Sequence, residues 1–194
     1  MNKEFLKNIH AMHFIGIGGI GISAVVKLVL GKGIKVTGSD RDRSIITDKL
    51  IKEGAVVYIG HEANNLPNEV DLVVYSPAIP AANPELMRAR ERGILTYSYP
   101  EALGMISQGM RTIAISGTHG KTTTTAMIAE MLVATKKDPT VIVGSLLKGS
   151  GSNFIAGESN LFVVEACEYQ RSFLNLSPEI LIITNIDNDH LDYY

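Results

Sequence analysis

Cysteine is almost absent: Cys167 is the only one in 194 residues. No internal disulfide framework can therefore brace the chain, and the shortage suits a reducing compartment. An excess of basic charge is missing too, since 18 Lys and Arg against 20 Asp and Glu leave a formal net charge of −2. Without a basic stripe or an aromatic-interleaved basic patch, there is no electrostatic footprint for nucleic acid. Long hydrophobic runs are lacking as well. The longest apolar stretch, residues 20–30, contains Lys27 and is too short to span a bilayer. Residues 1–8 are polar and hold no signal-peptide core. Internal repeats and low-complexity tracts are also absent. These absences predict a cytoplasmic protein with no membrane and no nucleic-acid partner. What remains is an ordinary globular balance, 45% hydrophobic and 20% charged. The length suffices for one large core or two small ones.

Strand-like and helix-like segments alternate along the first hundred residues. Strands are predicted at residues 13–17, 35–38, 55–59, 72–75 and 95–97, with helices at 21–30, 44–53 and 84–92. Ser44 is the expected cap of the second helix, and Pro84 opens the third. Such alternation predicts an α/β fold with a parallel sheet covered on both faces. The pattern pauses at Tyr99-Pro100, and a short helix over 101–107 leads into Gln108-Gly109. A boundary placed there gives domains of residues 1–105 and 106–194. The second block is predicted to hold strands at 112–116, 140–143, 161–165 and 180–184, a helix over 126–133 and a flexible loop at 149–152.

The most informative stretch is Gly117-Thr118-His119-Gly120-Lys121-Thr122-Thr123-Thr124. A strand, a glycine-bearing loop and a helix in this order surround one point with backbone N–H groups and a positive helix end, which is how nucleotide phosphates are held. Lys121 is placed to reach the outer phosphates, and the Thr122 hydroxyl to hold Mg²⁺. Ile115 stands where the long form of this loop has its first glycine, so the motif reads as a shortened P-loop for ATP.

A second glycine loop follows the first strand. Gly16, Gly18 and Gly21 match G-x-G-x-x-G, with Gly19 leaving the loop barer still, and Asp40 closes the next strand where acids meet ribose hydroxyls. Three readings fit: NAD, a diphosphate on another nucleoside such as a UDP-sugar, or a turn whose glycines only permit helix-on-sheet packing. His61 lies just past the third strand, near a bound base, and Ser76 opens the proline-stiffened rim Ser76-Pro77-Ala78-Ile79-Pro80. His10 and His13 read as core-edge or surface histidines.

Two strands of the second block end in polar clusters. Glu165 and Glu168 follow one, and Asn185, Asp187, Asp189 and His190 follow the other. Ligands of parallel sheets gather at the carboxyl ends of strands, so Glu165, Asn185 and His190 are expected to share a crevice with Lys121 and Thr122. Oxygen donors beside a triphosphate suit Mg²⁺, and the spacing matches no zinc motif. Glu168, Asp187, Asp189 and Asp192 read as solvated loop acids. Cys167 reads as a small buried filler rather than a nucleophile.

These residues resemble the Mur ligases of peptidoglycan synthesis. The stretch from Gly117 to Thr124 is similar to that family's ATP loop, and Thr184-Asn185-Ile186-Asp187-x-Asp189-His190-Leu191-Asp192 to its second signature. The opening His13-Phe14-Ile15-Gly16-Ile17-Gly18-Gly19-Ile20-Gly21 and the rim Tyr75-Ser76-Pro77-Ala78-Ile79-Pro80 share the likeness, as does the run from Glu165 to Leu174. The resemblance covers essentially the whole chain. It implies a Rossmann-like UDP-substrate domain followed by the start of a P-loop ATPase domain. It also implies that L-alanine is joined to the lactyl carboxylate of UDP-N-acetylmuramate at the expense of ATP. The carboxylate attacks the γ-phosphoryl group to give an acyl phosphate, and the amine then displaces phosphate. The family member that recycles murein tripeptide is the nearest alternative. By resemblance, Gly117, Thr118, His119, Gly120, Lys121, Thr122 and Thr123 bind ATP, and Lys121, Glu165 and His190 are catalytic. Thr122, Glu165 and His190 hold Mg²⁺, while Gly16, Gly18, Gly19, Gly21, Ser23, Asp40, His61 and Ser76 bind the UDP-substrate. Family members have three domains, so the chain reads as an N-terminal fragment whose missing C-terminal portion contacts adenine and the amino acid, with full turnover not expected from the fragment. An NAD(P)-dependent oxidoreductase leaves the P-loop idle, and a non-catalytic nucleotide-binding module is the other rival.

Overall fold

The computed structural model describes residues 6, 8–146, 151–191 and 193–194. Gly149 and Ser150 of the expected loop, and Asp192, lie outside the described residues. The chain divides into two compact units, one ending at Ala102 and the other covering Leu103–Tyr194.

In the first unit, β1 (Ala11–Ile15), β2 (Lys35–Asp40), β3 (Val56–Ile59), β4 (Leu72–Tyr75) and β5 (Leu95–Ser98) form a sheet ordered β3-β2-β1-β4-β5. Every pairing is parallel. Four helices accompany the strands: α1 (Ile20–Gly31), α2 (Ile45–Lys52), α3 (Pro84–Glu91) and α4 (Tyr99–Ser107), the last crossing the division between units. Helix α1 buries Ile22, Ala24, Val25, Val26, Leu28 and Val29, as a helix that is apolar nearly all round must. Helix α2 starts at Ser44, as expected. The Ser44 hydroxyl accepts from the Thr47 amide, and the Thr47 hydroxyl returns the contact to the Ser44 amide, closing a capping box. Helix α3 is capped by Asn83, whose Oδ1 accepts from the Glu85 and Leu86 amides, with Pro84 in the first turn. Helix α4 begins at Tyr99 rather than at 101, because Pro100 is tolerated in a first turn.

Sheet order reverses between β1 and β4, so the loops leaving these neighbouring strands flank a switch point, where parallel sheets open a crevice. Beneath it, Ile15, Leu66, Val73, Leu86 and Ala89 make a buried cluster. His13 corrects the expectation of a surface or core-edge residue: it is fully buried.

The second unit has β6 (Arg111–Ser116), α5 (Lys121–Ala134), β7 (Thr140–Ile142), β8 (Phe154–Ile155), β9 (Leu161–Glu165) and β10 (Ile180–Ile183). The strand order is β10-β6-β9-β7-β8. All pairings are parallel except β7 with β8, a two-residue antiparallel strand that the sequence pattern did not foretell. Helix α5 starts at Lys121, five residues before the expected start, within a threonine run of weak helix propensity. Its Ala129 joins Ile115, Val141, Val143 and Val163 in the core of this unit. Strand β10 leaves Ile180, Leu181 and Ile183 exposed. Among the described residues, no helix is long and apolar enough to cross a membrane.

Gly38 of β2 makes room for the glycine loop. A Cβ there would lie 2.5 Å from the Phe14 carbonyl oxygen and 2.7 Å from Ile17 Cδ1. Gly38→Ala is expected to cost about 1–3 kcal/mol of stability through overpacking. Gly31→Ala, at a helical site with open space around it, should be neutral or stabilising by up to about 1 kcal/mol. Urea unfolding of both variants checks the opposite signs.

Candidate functional site

The loop between β6 and α5 is shaped by two glycines with positive φ, Gly117 at 121° and Gly120 at 83°. Gly117 has no room for a side chain, because a Cβ would collide with the Thr184 hydroxyl. The chain leaving β10 clamps this loop. Asn185 Oδ1 accepts from the His119 amide at 2.9 Å, and Asn185 Nδ2 donates back to the His119 carbonyl at 3.0 Å. The Thr184 hydroxyl donates to the same carbonyl at 2.6 Å, and the Asp187 amide donates to the Thr118 hydroxyl at 3.0 Å. Asn185 was expected to face the ligand. Its side-chain amide is spent instead on holding the loop that does.

Behind the loop, α5 opens on Gly120 with no side-chain cap and no acid in its first turn. Its first amides are thus left for an incoming anion. Thr122 Oγ1 donates to Glu165 Oε2 at 3.2 Å, and Glu165 Oε1 accepts from the Gly144 amide at 2.8 Å. Lys121 curls over the loop, donating to the Gly117 and Thr118 carbonyls, and pairs with Glu168 Oε1 at 2.9 Å. Thr123, His119 and Gly120 are exposed at the same mouth.

Glu168 overturns its reading as a solvated loop acid. Its side chain is 18% exposed, that of Lys121 16%, and His190 Nε2 lies 3.5 Å from the same Oε1. The His190 ring sits 4.8 Å from that of Tyr169, and Asp189 completes a trio with Glu168 and His190 whose ligand atoms lie within 4.8 Å of one another. His190 therefore joins Glu168 rather than the Thr122–Glu165 pair. Gln170, Arg171 and His190 all hold left-handed backbone conformations, with φ of 51°, 56° and 50°, as do Lys136 and Asp138 in the turn after α5, a local strain for residues with a side chain. Cys167 is exposed rather than a buried filler. Desolvation pushes its thiol pKa up, and the Glu168 and Glu165 carboxylates add to the rise, so it is a poor nucleophile.

The donors fit a hard divalent cation. Thr122 and Glu165 offer oxygens at the helix start, and the buried Glu168 Oε2 has no hydrogen-bond partner among the described residues. A cavity of about 620 Å³ opens alongside, lined by Ser116, Gly117 and Glu168 and by apolar Phe173, Leu174 and Leu181.

In the first unit, the loop after β1 is held by β2. The Gly16 and Ile17 amides donate to the Ser39 carbonyl at 2.8 and 3.0 Å, and the Gly18 amide donates to Asp40 Oδ2 at 2.8 Å. Asp40 thus braces the loop it was expected to serve from across a ribose. Gly19 caps α1 without a side chain, and no acid stands in the first turn. Ser76 packs against Gly16, within 3.0 Å of where a Cβ would stand. His61 Nδ1 lies 3.0 Å from both Ser39 Oγ and Glu85 Oε1. One expectation changes. Ser23 is buried and its hydroxyl donates to the Ile20 carbonyl at 2.9 Å, so it serves the helix rather than a diphosphate. Gly21, in the first turn of α1, faces the Tyr99 ring, 2.8 Å from where its Cβ would be, so the position has no room for a side chain.

Comparison with known proteins agrees with this geometry. The model of the Mur ligase family catalytic domain matches residues 11–111, and that of the Mur ligase middle domain residues 115–194. The UDP-N-acetylmuramate–L-alanine ligase of Clostridium beijerinckii is 52% identical over the whole of this chain, and that of Clostridium tetani 50%. The chain spans 42% of the length of each of these relatives. The crystal structure of UDP-N-acetylmuramate–alanine ligase from Thermotoga maritima superposes with a TM-score of 0.87 at 36% identity, covering 95% of this chain and 43% of that one. A murein peptide ligase from Psychrobacter arcticus superposes with a TM-score of 0.80 at 25% identity, covering 94% and 44%. With both of its units matched in order, the chain belongs to the Mur ligase family.

Proposed function

We propose that the chain carries the UDP-substrate unit and the ATP loop of a ligase joining L-alanine to the lactyl carboxylate of UDP-N-acetylmuramate. The observation that carries this reading is the pair of glycine loops, each opening on a helix without a side-chain cap, with Lys121, Thr122 and Glu165 gathered at the second. The relatives named for alanine addition support that substrate over murein peptide, being 52% and 50% identical against 25% for the murein peptide ligase. An oxidoreductase gives the P-loop nothing to do, and a passive nucleotide module leaves the Lys121–Glu168–His190 chain without a purpose.

In this reading, the residue 117–120 backbone and the first turn of α5 cradle the ATP phosphates, and Lys121 neutralises the outer ones. Thr122 and Glu165 hold Mg²⁺, with Glu168, Asp189 and His190 placed for a second ion. Bound Mg²⁺ supplies charge neutralisation at the phosphoryl oxygens. The lactyl carboxylate attacks the γ-phosphorus and ADP leaves. The alanine amine then attacks the acyl carbon, phosphate departs and the amine loses its proton. The protein's work is positioning and charge complementarity. In the first unit, the first turn of α1 receives the diphosphate, and Gly16, Gly18 and Gly19 shape the loop that brings the backbone close to it, their own amides donating to Ser39, Asp40 and Gly16, while Ser76 and His61 border the nucleoside and sugar. The length that the relatives have beyond this match supplies the contacts to adenine and to the amino acid. A cytoplasmic setting suits a reaction that draws on ATP.

Lys121→Ala in a complete enzyme is expected to slow phosphoryl transfer by on the order of 10²- to 10³-fold or more while leaving UDP-N-acetylmuramate affinity unchanged. Parallel calorimetry and phosphate-release assays check this, and joint loss of both would mean that one nucleotide spans the two loops. Adding UDP-N-acetylmuramate should stimulate phosphate release from ATP, whereas NADH should not compete for the first loop in a fluorescence titration. A protein that binds ATP with no substrate-stimulated release would be a sensor rather than a ligase.

A further inference from the structure

Among the described residues, Glu85, in the first turn of α3, is the one buried acid with no task in the reading above. Its side chain is 0% exposed, and three donors converge on it. His13 Nε2 lies 2.7 Å from Oε2, Ser39 Oγ donates to Oε1 at 2.8 Å, and His61 Nδ1 lies 3.0 Å from Oε1. On the far side of His13, Nδ1 lies 2.8 Å from the Thr37 hydroxyl. The contacts join β1, β2, the loop after β3 and α3. A buried carboxylate persists only when surrounded in this way.

The chemistry fixes where hydrogens sit. An ionised carboxylate only accepts, so each ring nitrogen against it carries a hydrogen, Nε2–H in His13 and Nδ1–H in His61. In the neutral His61 ring, Nε2 is left as the acceptor. The two histidines differ in access: His13 is sealed at 0% side-chain exposure, whereas His61 keeps 21%. His61 also stands just past the carboxyl end of β3, on the rim where a parallel sheet receives its ligand.

We infer that Glu85 is a positioning residue of the substrate site, fixing the tautomer and ring orientation of His61 so that Nε2 accepts a hydrogen bond from the bound nucleotide. The matching group is a nucleoside donor, a ribose hydroxyl or the uracil N3–H. The inference rests on the UDP-sugar reading of the first unit. Ser39 Oγ lies 3.0 Å from the same Nδ1 and itself donates to Glu85 Oε1, so the imidazole is set before the ligand arrives and little rotamer freedom is lost on binding.

Imidazole ¹⁵N spectroscopy of the chain, with the His61 ring neutral, tests this directly. His61 is expected to show hydrogen on Nδ1 and a bare Nε2, and the Nε2 resonance should shift on adding UDP-N-acetylmuramate. Hydrogen on Nε2, or an Nε2 resonance unmoved by bound ligand, overturns the inference even if no variant folds. Glu85→Met, which keeps the length of the side chain and removes both acceptors, should release His61 to the other tautomer and weaken UDP-N-acetylmuramate binding about tenfold. His61→Ala added to it should cost nothing more. A Glu85→Met protein that melts earlier but keeps the His61 tautomer and the affinity assigns Glu85 to stability alone. Failure of the unaltered chain to bind UDP-N-acetylmuramate sinks the substrate reading, while the tautomer measurement still decides the role of Glu85.

Discussion

Every helix begins with backbone amides that have no partner inside it, and how a chain satisfies them shows what each helix is for. Two helices here satisfy them from within, α2 through Ser44 and α3 through Asn83. The two that follow glycine loops do not: α1 opens on Gly19 and α5 on Gly120, with neither a capping side chain nor an acid in the first turn. A capped helix end has fewer free donors to offer a phosphate, because its side-chain cap already takes one or two of them. An end that glycine leaves bare, at the carboxyl rim of a parallel sheet, is completed by one.

A bare helix end binds well only if the loop before it is rigid, and both units supply that rigidity from a neighbouring strand. In the first, the Ser39 carbonyl and Asp40 carboxylate of β2 hold three consecutive amides of residues 16–18. In the second, Thr184 and Asn185 beyond β10 hold His119 from both its amide and its carbonyl. Parallel order is what makes this possible, since it delivers the ends of adjacent strands to one rim. Dipoles fixed in advance need no reorganisation when charge arrives, which is where such sites gain most of their effect.

The elements that place the loops were legible in the sequence because period and punctuation act locally. Strands β4 and β9 stand at the expected residues, and Ser44 caps its helix. What was hidden depended on distance along the chain or on a shared local signal. Ser23 follows the glycine fingerprint as a phosphate ligand would, yet a serine inside a helix readily turns its hydroxyl back to the carbonyl three residues before, and this one does. Four consecutive threonines masked the start of α5. Nothing local distinguishes Glu168 from a solvated acid, since its partner Lys121 is 47 residues away. His13 and Glu85 are 72 residues apart, so their pairing is visible only once α3 is laid against the sheet.

The buried Glu85 and the half-buried Glu168 illustrate opposite solutions to the same electrostatic problem. Glu85 is met by donors at both oxygens, and a fully satisfied network of that kind rigidifies what it touches. Glu168 is half met: Oε1 has Lys121 and His190 beside it, while Oε2 is buried without a partner among the described residues. An acceptor left in that condition is costly, by about 1–3 kcal/mol for a neutral group and more for a charged one. That cost is offset only if something positive completes it. The trio with Asp189 and His190 has the chemistry of a cation site, and Lys121 already leans on it from the phosphate loop. The same cost is thus met in two ways within one fold, at Glu85 by hydrogen bonds to both oxygens and at Glu168 by partners at one oxygen, with the other left without a partner among the described residues.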